Sequence, residues 1–343
     1  MKYVKLTLLA FFFLITSCEK LIFNDDPANT PTNNFEIFWT DFDRYYPFFQ
    51  TMNINWDSVH SYYMPLISDK TTDIELLNIF TQMIKPFRES HVSIVTPSGW
   101  KQFKDDSIWF NSSSYLSGRP FNPSKYLLSF KVNDLNIQFY DVINHNIGYI
   151  SINSFSSSQS FFIIDDIIKQ FKDKDGIIID IRENTGGEIQ NSITISSRFA
   201  DKNRIYGKIR TKNGPGKNNF SQWYDLFVEP QGASQFSKPV VILTSRRTAS
   251  AAEFLTLEMK ALPQVISVGD TTNGCVSEPT WRELPNGWSF RLPFCMVATP
   301  DFKVYSGKGI PPDFPVIETQ VDITHSIDKI LEKGIEIIEE KNQ

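Results

Sequence analysis

Hydrophobic positions recur at two different periods along this chain, and the change of period divides it. Between residues 35 and 90 the spacing is helical. Phe35, Phe38, Trp39, Phe42, Tyr45 and Tyr46 share one face, and Ile74, Leu76, Leu77, Phe80, Met83 and Ile84 repeat the pattern with Asp73 as a candidate cap. The run stops at Phe87-Arg88-Glu89-Ser90, and a short alternating strand follows, with His91 at the junction. Residues 99–125 are polar and serine-rich, carry Gly118, Pro120 and Pro123, and read as an irregular connection.

From Tyr126 onward strands and helices alternate. Leu127–Val132, Leu135–Val142 and Ile147–Ile152 read as strands, and residues 159–172 as an amphipathic helix through Phe161, Phe162, Ile164, Ile167, Ile168 and Phe171. The continuous apolar run Ile177-Ile178-Ile179-Asp180-Ile181 predicts a strand buried on both faces. A glycine-ended turn, Arg182-Glu183-Asn184-Thr185-Gly186-Gly187, leads into a helix over Glu188–Phe199. Strands at Ile205–Ile209, Pro239–Thr244 and Val265–Val268, a helix over Ala251–Lys260 and a last helix over His325–Glu340 complete the series. This order predicts an α/β fold with a largely parallel sheet flanked by helices.

The first 18 residues stand apart. Lys2 and Lys5 precede an apolar stretch, Leu8–Ile15, too short to span a bilayer comfortably, and the segment ends Leu14-Ile15-Thr16-Ser17-Cys18. This resembles a bacterial lipobox, which implies export, lipidation of Cys18 and a lipid-anchored place in the cell envelope. An ordinary signal peptide with a chance cysteine is the alternative. Polar residues Asn24–Asn34 read as a tether. The division expected is a signal segment (1–18), a tether (19–34), a small N-terminal helical subdomain (35–98), a connection (99–125) and a core with a C-terminal helix (126–343).

Composition adds exclusions. With 21% charged residues, a net charge of −5 and no basic patch, nothing points to nucleic acid. No motif calls for a metal or another cofactor. Of the three cysteines, Cys275 and Cys295 flank a hairpin turning at Pro285-Asn286-Gly287. A two-residue Asn286-Gly287 turn does not set them opposite each other, so a disulfide would need another turn or a bulge.

The chemistry centres on Thr248-Ala249-Ser250-Ala251-Ala252-Glu253. Ser250 follows a buried strand and opens a helix, where free N–H groups and the helix dipole favour negative charge. That is a place for a serine nucleophile and an oxyanion; a simple N-cap is the alternative. The Gly186-Gly187 turn permits close approach to a bound carbonyl, or is merely a helix entry. His91 is a candidate base, or a structural histidine.

Taken together, Asp180-Ile181-Arg182-Glu183-Asn184-Thr185-Gly186-Gly187, the Ser250 motif, Gly269-Asp270-Thr271-Thr272-Asn273-Gly274, and Gly309-Ile310-Pro311-Pro312-Asp313 resemble, in order and spacing, the C-terminal-processing and tricorn-type serine peptidases. The Ser90-His91 pair resembles the tricorn branch. The resemblance covers roughly residues 35–320. It implies a crotonase-like core and peptide hydrolysis through an acyl-enzyme, on peptides or unfolded proteins. It makes Ser250 the nucleophile, His91 the base with Ser90 beside it, and Ala251 with Gly186 or Gly187 the oxyanion donors. Two positions depart from the pattern. Cys275 stands where one branch has its lysine base, and Ser306 stands where the other has its glutamate, so that glutamate is expected to be missing, with the Ser306 hydroxyl holding the imidazole in its place or another acid substituting. A catalytically impaired peptide- or ligand-binding lipoprotein is therefore the second reading. The short 99–125 connection leaves no room for a PDZ domain.

Overall fold

The computed structural model describes residues 27–97, 99–102, 125–132, 137–156 and 161–343. The lipobox and Cys18 lie outside the described residues. Three helices lead: α1 (Pro31–Tyr45), α2 (Trp56–Tyr63) and α3 (Asp73–Ile84). Helix α1 begins earlier than the tether reading allowed. Thr30 caps it by accepting from the Asn33 N–H, and proline at the first helical position suits a site whose N–H has no partner in any case. Its aromatic stripe stacks on α3 and on a strand from the far end of the sequence: the Phe38 and Phe80 rings lie 4.1 Å apart, and Phe42 stacks on both Phe87 and Phe290.

Strand β1 (Ser93–Thr96) pairs with β2 (Gly99–Gln102), part of the segment expected to be irregular. Next come β3 (Leu127–Val132), β4 (Ile137–Val142), β5 (Ile147–Ile152), α4 (Ile164–Phe171), β6 (Gly176–Asp180), α5 (Ile189–Ser196), β7 (Arg204–Thr211) and β8 (Tyr224–Val228). The chain continues through β9 (Val240–Thr244), α6 (Ala251–Lys260), β10 (Val265–Gly269), β11 (Pro279–Glu283), β12 (Ser289–Pro293), β13 (Cys295–Ala298) and β14 (Phe314–Pro315). It ends with α7 (Gln320–Thr324) and α8 (Lys329–Lys341). The helix expected over His325–Glu340 is α8, which starts a few residues later because Ser326 takes a positive φ and Asp328 caps it, and the short α7 precedes it.

The central sheet has seven strands in the order β14-β10-β9-β6-β5-β4-β3, parallel from β14 to β5 and antiparallel beyond. The two-residue period of β6 and β9 explains the layers. Ile177, Ile179, Val240 and Ile242 face a core with residues of α4, α5 and α6, whereas Ile178, Val241 and Leu243 face Ile330, Leu331, Ile335 and Ile338 of α8. The protein is a mixed α/β fold with a central sheet. Two smaller antiparallel sheets, β11-β12-β1-β2 and β13-β7-β8, stand beside it. The β11–β12 hairpin sets Pro279 against Pro293, a register that does not bring the cysteines together; Cys275 and Cys295 are free and buried.

Helix α6 is buried nearly all round, including Glu258, whose Oε1 accepts from Ser192 at 3.3 Å while Oε2 has no partner. Burial pushes this carboxyl up to about 8 from 4.5, against the pull of the Ser196 and Ser192 hydroxyls. Between those values the native state keeps a proton that the unfolded chain releases. Stability contributed by Glu258 is therefore present in full below the unfolded pKa and lost as pH rises toward the folded one, by up to about 1.4 kcal/mol per unit. Urea unfolding from pH 5 to 8 should show this decline, and Glu258→Gln should make it shallower; an unchanged slope in the variant would count against the assignment.

Candidate active site

The loop after β6 is braced before it turns. Asp180 accepts from the Arg182 backbone N–H at 3.0 Å and from its Nε at 2.9 Å, and the same guanidinium reaches both oxygens of Asp328 at 2.9 Å. Tyr149 donates to Asp180 from the next strand at 2.6 Å. Burial disfavours the charged guanidinium, but Asp180 and Asp328 outweigh it and hold Arg182 protonated. Asn184, fully buried, ties the turn to its neighbours. Its amide donates to the Ile152 carbonyl, its side-chain oxygen accepts from the Gly186 N–H at 2.8 Å, and its carbonyl accepts from the Ala249 N–H at 3.1 Å. The last bond joins this turn to the serine loop.

Both glycines are required by space and by dihedral. Gly186 has φ +102°, and a Cβ there would lie 2.6 Å from the Ser250 Cβ; Gly187 has φ +140°, and a Cβ would lie 2.3 Å from the Phe155 backbone. The turn can rest directly against Ser250 only because no side chain intervenes.

Ser250 connects β9 to α6 with φ 56° and ψ −123°, an unusual conformation for a serine and worth about 1–3 kcal/mol of strain. What holds it is on either side. Thr248 donates to the Ile181 carbonyl at 2.9 Å, and the Ser250 N–H donates to Glu253 Oε2 at 3.1 Å. Glu253 also accepts from the Thr272 hydroxyl (2.6 Å) and the N–H groups of Gly274 (2.8 Å) and Cys275 (2.7 Å), so one buried carboxyl organises two loops. Burial raises it to about 7 even though all four bonds pull the other way. Asp313 ties down the closing motif similarly, accepting from the Ser267 N–H and hydroxyl on β10.

The Ser250 hydroxyl lies 3.2 Å from His91 Nε2. On the other side of the ring, Nδ1 lies 2.9 Å from Glu89 Oε1 and 3.2 Å from the Ser277 hydroxyl, which itself donates to Glu89 Oε1 at 3.2 Å. The bond network favours the tautomer with the proton on Nδ1, facing the carboxylate, which leaves Nε2 to accept from Ser250. The Glu89 side chain has no solvent exposure, and His91 is buried. Arg291 steadies this segment by donating to the carbonyls of His91 (3.0 Å) and Ser90 (3.1 Å).

Several expectations need correcting. Ser306 does not orient the imidazole: it is buried elsewhere and donates to the Val276 carbonyl at 2.9 Å. The family's glutamate is absent at Ser306, and another acid, Glu89, stands at Nδ1 instead. Ser90 Oγ lies 2.6 Å from Cys275 Sγ and 3.4 Å from Asn273 Oδ1. Of the two glycine N–H groups, that of Gly186 is committed to Asn184. Glu89 and Ser277 were overlooked, although Glu89 is only two residues before His91. The signal was an acid, an intervening serine and a histidine at the end of a helix; the left-handed turn at Arg88 (φ 48°) that brings acid and imidazole together has no simple sequence mark.

A strained serine on a strand–helix turn, hydrogen-bonded to a histidine backed by a buried carboxylate and flanked by a glycine turn, is the constellation of a serine peptidase. The chain belongs to peptidase family S41, which it matches over residues 146–316, and it matches the tricorn protease C1 domain over residues 27–85. It is 30% identical over 175 residues to the carboxy-terminal processing protease CtpA of Bacillus subtilis, covering 51% of this chain and 36% of that one. It is 27% identical over 205 residues to CtpB of the same organism, covering 56% and 40%. The chain thus spans well under half the length of these relatives. A solved structure from Parabacteroides merdae superposes with a TM-score of 0.82 at 29% identity, covering 91% of this chain and 97% of that one. The photosystem II D1 C-terminal processing protease, at TM-score 0.56 and 15% identity over 84% and 94%, shares the fold.

Proposed function

We propose that this protein is a serine endopeptidase that cleaves peptides or unfolded proteins through an acyl-enzyme on Ser250. The observation that carries the reading is the continuous chain of contacts from Ser250 Oγ through His91 to Glu89. In the reaction, Ser250 Oγ attacks the scissile carbonyl while His91 Nε2 takes its proton. Glu89, whose side chain is fully buried, faces the imidazolium so formed. The Ala251 N–H at the start of α6 and the N–H of Gly187 are the oxyanion donors, Gly186 being spent. His91 then protonates the leaving amine, and water repeats the sequence on the acyl-enzyme. The core carrying these groups is read as crotonase-like, and the helices ahead of it as a separate small subdomain. A substrate strand added at a sheet edge in the cleft is the binding mode this reading adopts.

The second reading, an impaired binding protein, drew on the expected loss of the acid; Glu89 removes that argument. Anchoring through Cys18 in the bacterial envelope remains part of the proposal, on the strength of the lipobox. Among the described residues no helix is long and apolar enough to cross a membrane.

One experiment tests both parts. The full chain, taken from bacterial envelopes, is treated with a fluorophosphonate and analysed by peptide mass spectrometry. The expected result is an adduct on Ser250, absent from His91→Ala, and acyl mass on an N-terminal Cys18. Labelling of His91→Ala at the wild-type rate would overturn the mechanism. A mature N-terminus elsewhere, without acyl mass, would overturn the anchor.

A further inference from the structure

We infer that Glu89, His91 and Cys275 form an inhibitory site for a thiophilic divalent cation of the zinc class. A carboxylate oxygen, a ring nitrogen and the thiol sulfur of these three buried residues all lie within 4.8 Å of one another. Oxygen, imidazole and sulfur together are the donor set of zinc and its borderline-soft neighbours, not of magnesium or calcium.

A second observation points the same way. Glu89 Oε2 is buried and has no hydrogen-bond partner, so the carboxylate keeps lone pairs that neither His91 nor Ser277 uses. Buried acceptors without partners are uncommon, and a cation is one way to satisfy them. The charge balance also favours a cation. Two buried carboxyl groups, Glu89 and Glu253, act on Cys275, and Arg291, the cation near Glu89, donates its Nε and Nη2 to backbone carbonyls.

Binding replaces the contacts of the sulfur with Ser90 Oγ (2.6 Å) and Asn273 Oδ1 (2.8 Å) by a metal–sulfur bond, and the thiol proton leaves to solvent. Three protein ligands leave one tetrahedral position for water. The inhibition rests on the peptidase reading above: a metal on Nδ1 moves the ring proton to Nε2, and a metal on Nε2 displaces Ser250, so either way the imidazole loses its function as base.

The probe is Co2+, whose thiolate complexes absorb by sulfur-to-metal charge transfer. Ser250→Ala keeps all three ligands, and it should bind one equivalent with that band, which Zn2+ should displace. The band should vanish in Cys275→Ser and in Cys275→Ala, each checked for folding by circular dichroism. In parallel, Zn2+ from a metal buffer should inhibit peptide turnover by the wild type, and Cys275→Ser should raise the half-inhibitory concentration at least about 10-fold. No charge-transfer band with folded Ser250→Ala, a band that survives in both Cys275 variants, or equal Zn2+ potency on wild type and Cys275→Ser would each overturn the site. A Cys275-dependent band in a protein that hydrolyses no peptide would uphold the metal site and sink the peptidase reading.

Discussion

Glu89→Gln should lower kcat by about 10²–10⁴-fold with little change in KM, the upper figure being that for a comparable substitution in a well-studied triad. An amide is isosteric with the carboxylate, so the fold should persist. What changes is the proton. A carboxamide can donate to Nδ1, which moves the imidazole proton to Nε2 and leaves no acceptor for the Ser250 hydroxyl. The imidazolium formed during attack would also face a neutral group in a site closed to solvent. Ser306→Ala should stay close to wild type, because that hydroxyl serves only the Val276 carbonyl. Ser306→Glu, which restores the residue of the related pattern, should destabilise the protein by burying an unpaired charge. Steady-state turnover of an unstructured peptide by the three variants decides the matter, and a Glu89→Gln enzyme within about threefold of wild type would remove the acid from the mechanism.

Arg182→Met should unfold the protein more readily by about 3–5 kcal/mol. The guanidinium is the counter-charge of two buried carboxylates, Asp180 and Asp328, and a thioether leaves both facing each other in the interior. At this size a loss of that order lowers Tm by roughly 2–4 °C for each kcal/mol. Asp328→Asn keeps one full ion pair and should cost less. Thermal melts of both variants test the ranking. If Arg182→Met melts with the wild type, the cluster is not what holds the loop after β6.

The sequence carried the central sheet well, because strands buried on both faces leave continuous apolar runs that have few other readings. Ile177–Ile181 and Val240–Thr244 are such runs, and the glycine turn and Ser250 follow directly from where they end. It carried edges poorly. Strand β2 lies in a polar segment, and β8 mixes exposed Tyr224 and Phe227 with charge, so neither has the periodicity of a half-buried strand. Half the site was legible for the same reason. Ser250, Gly186 and Gly187 are fixed by local backbone demands, whereas Glu89 reaches His91 through a left-handed residue, and Ser277 arrives from a loop 186 positions beyond the histidine it touches. Matching the acid by its position in related chains led to Ser306; the distance between atoms leads to Glu89.

The bond from Arg182 to Asp328 spans 146 positions of sequence. A ribosome has therefore made His91, the glycine turn and Ser250 well before it makes the carboxylate that steadies the turn. During that interval the turn after β6 lacks its second carboxylate, and Asp328, the cap of α8, is the last part of that clasp to be made.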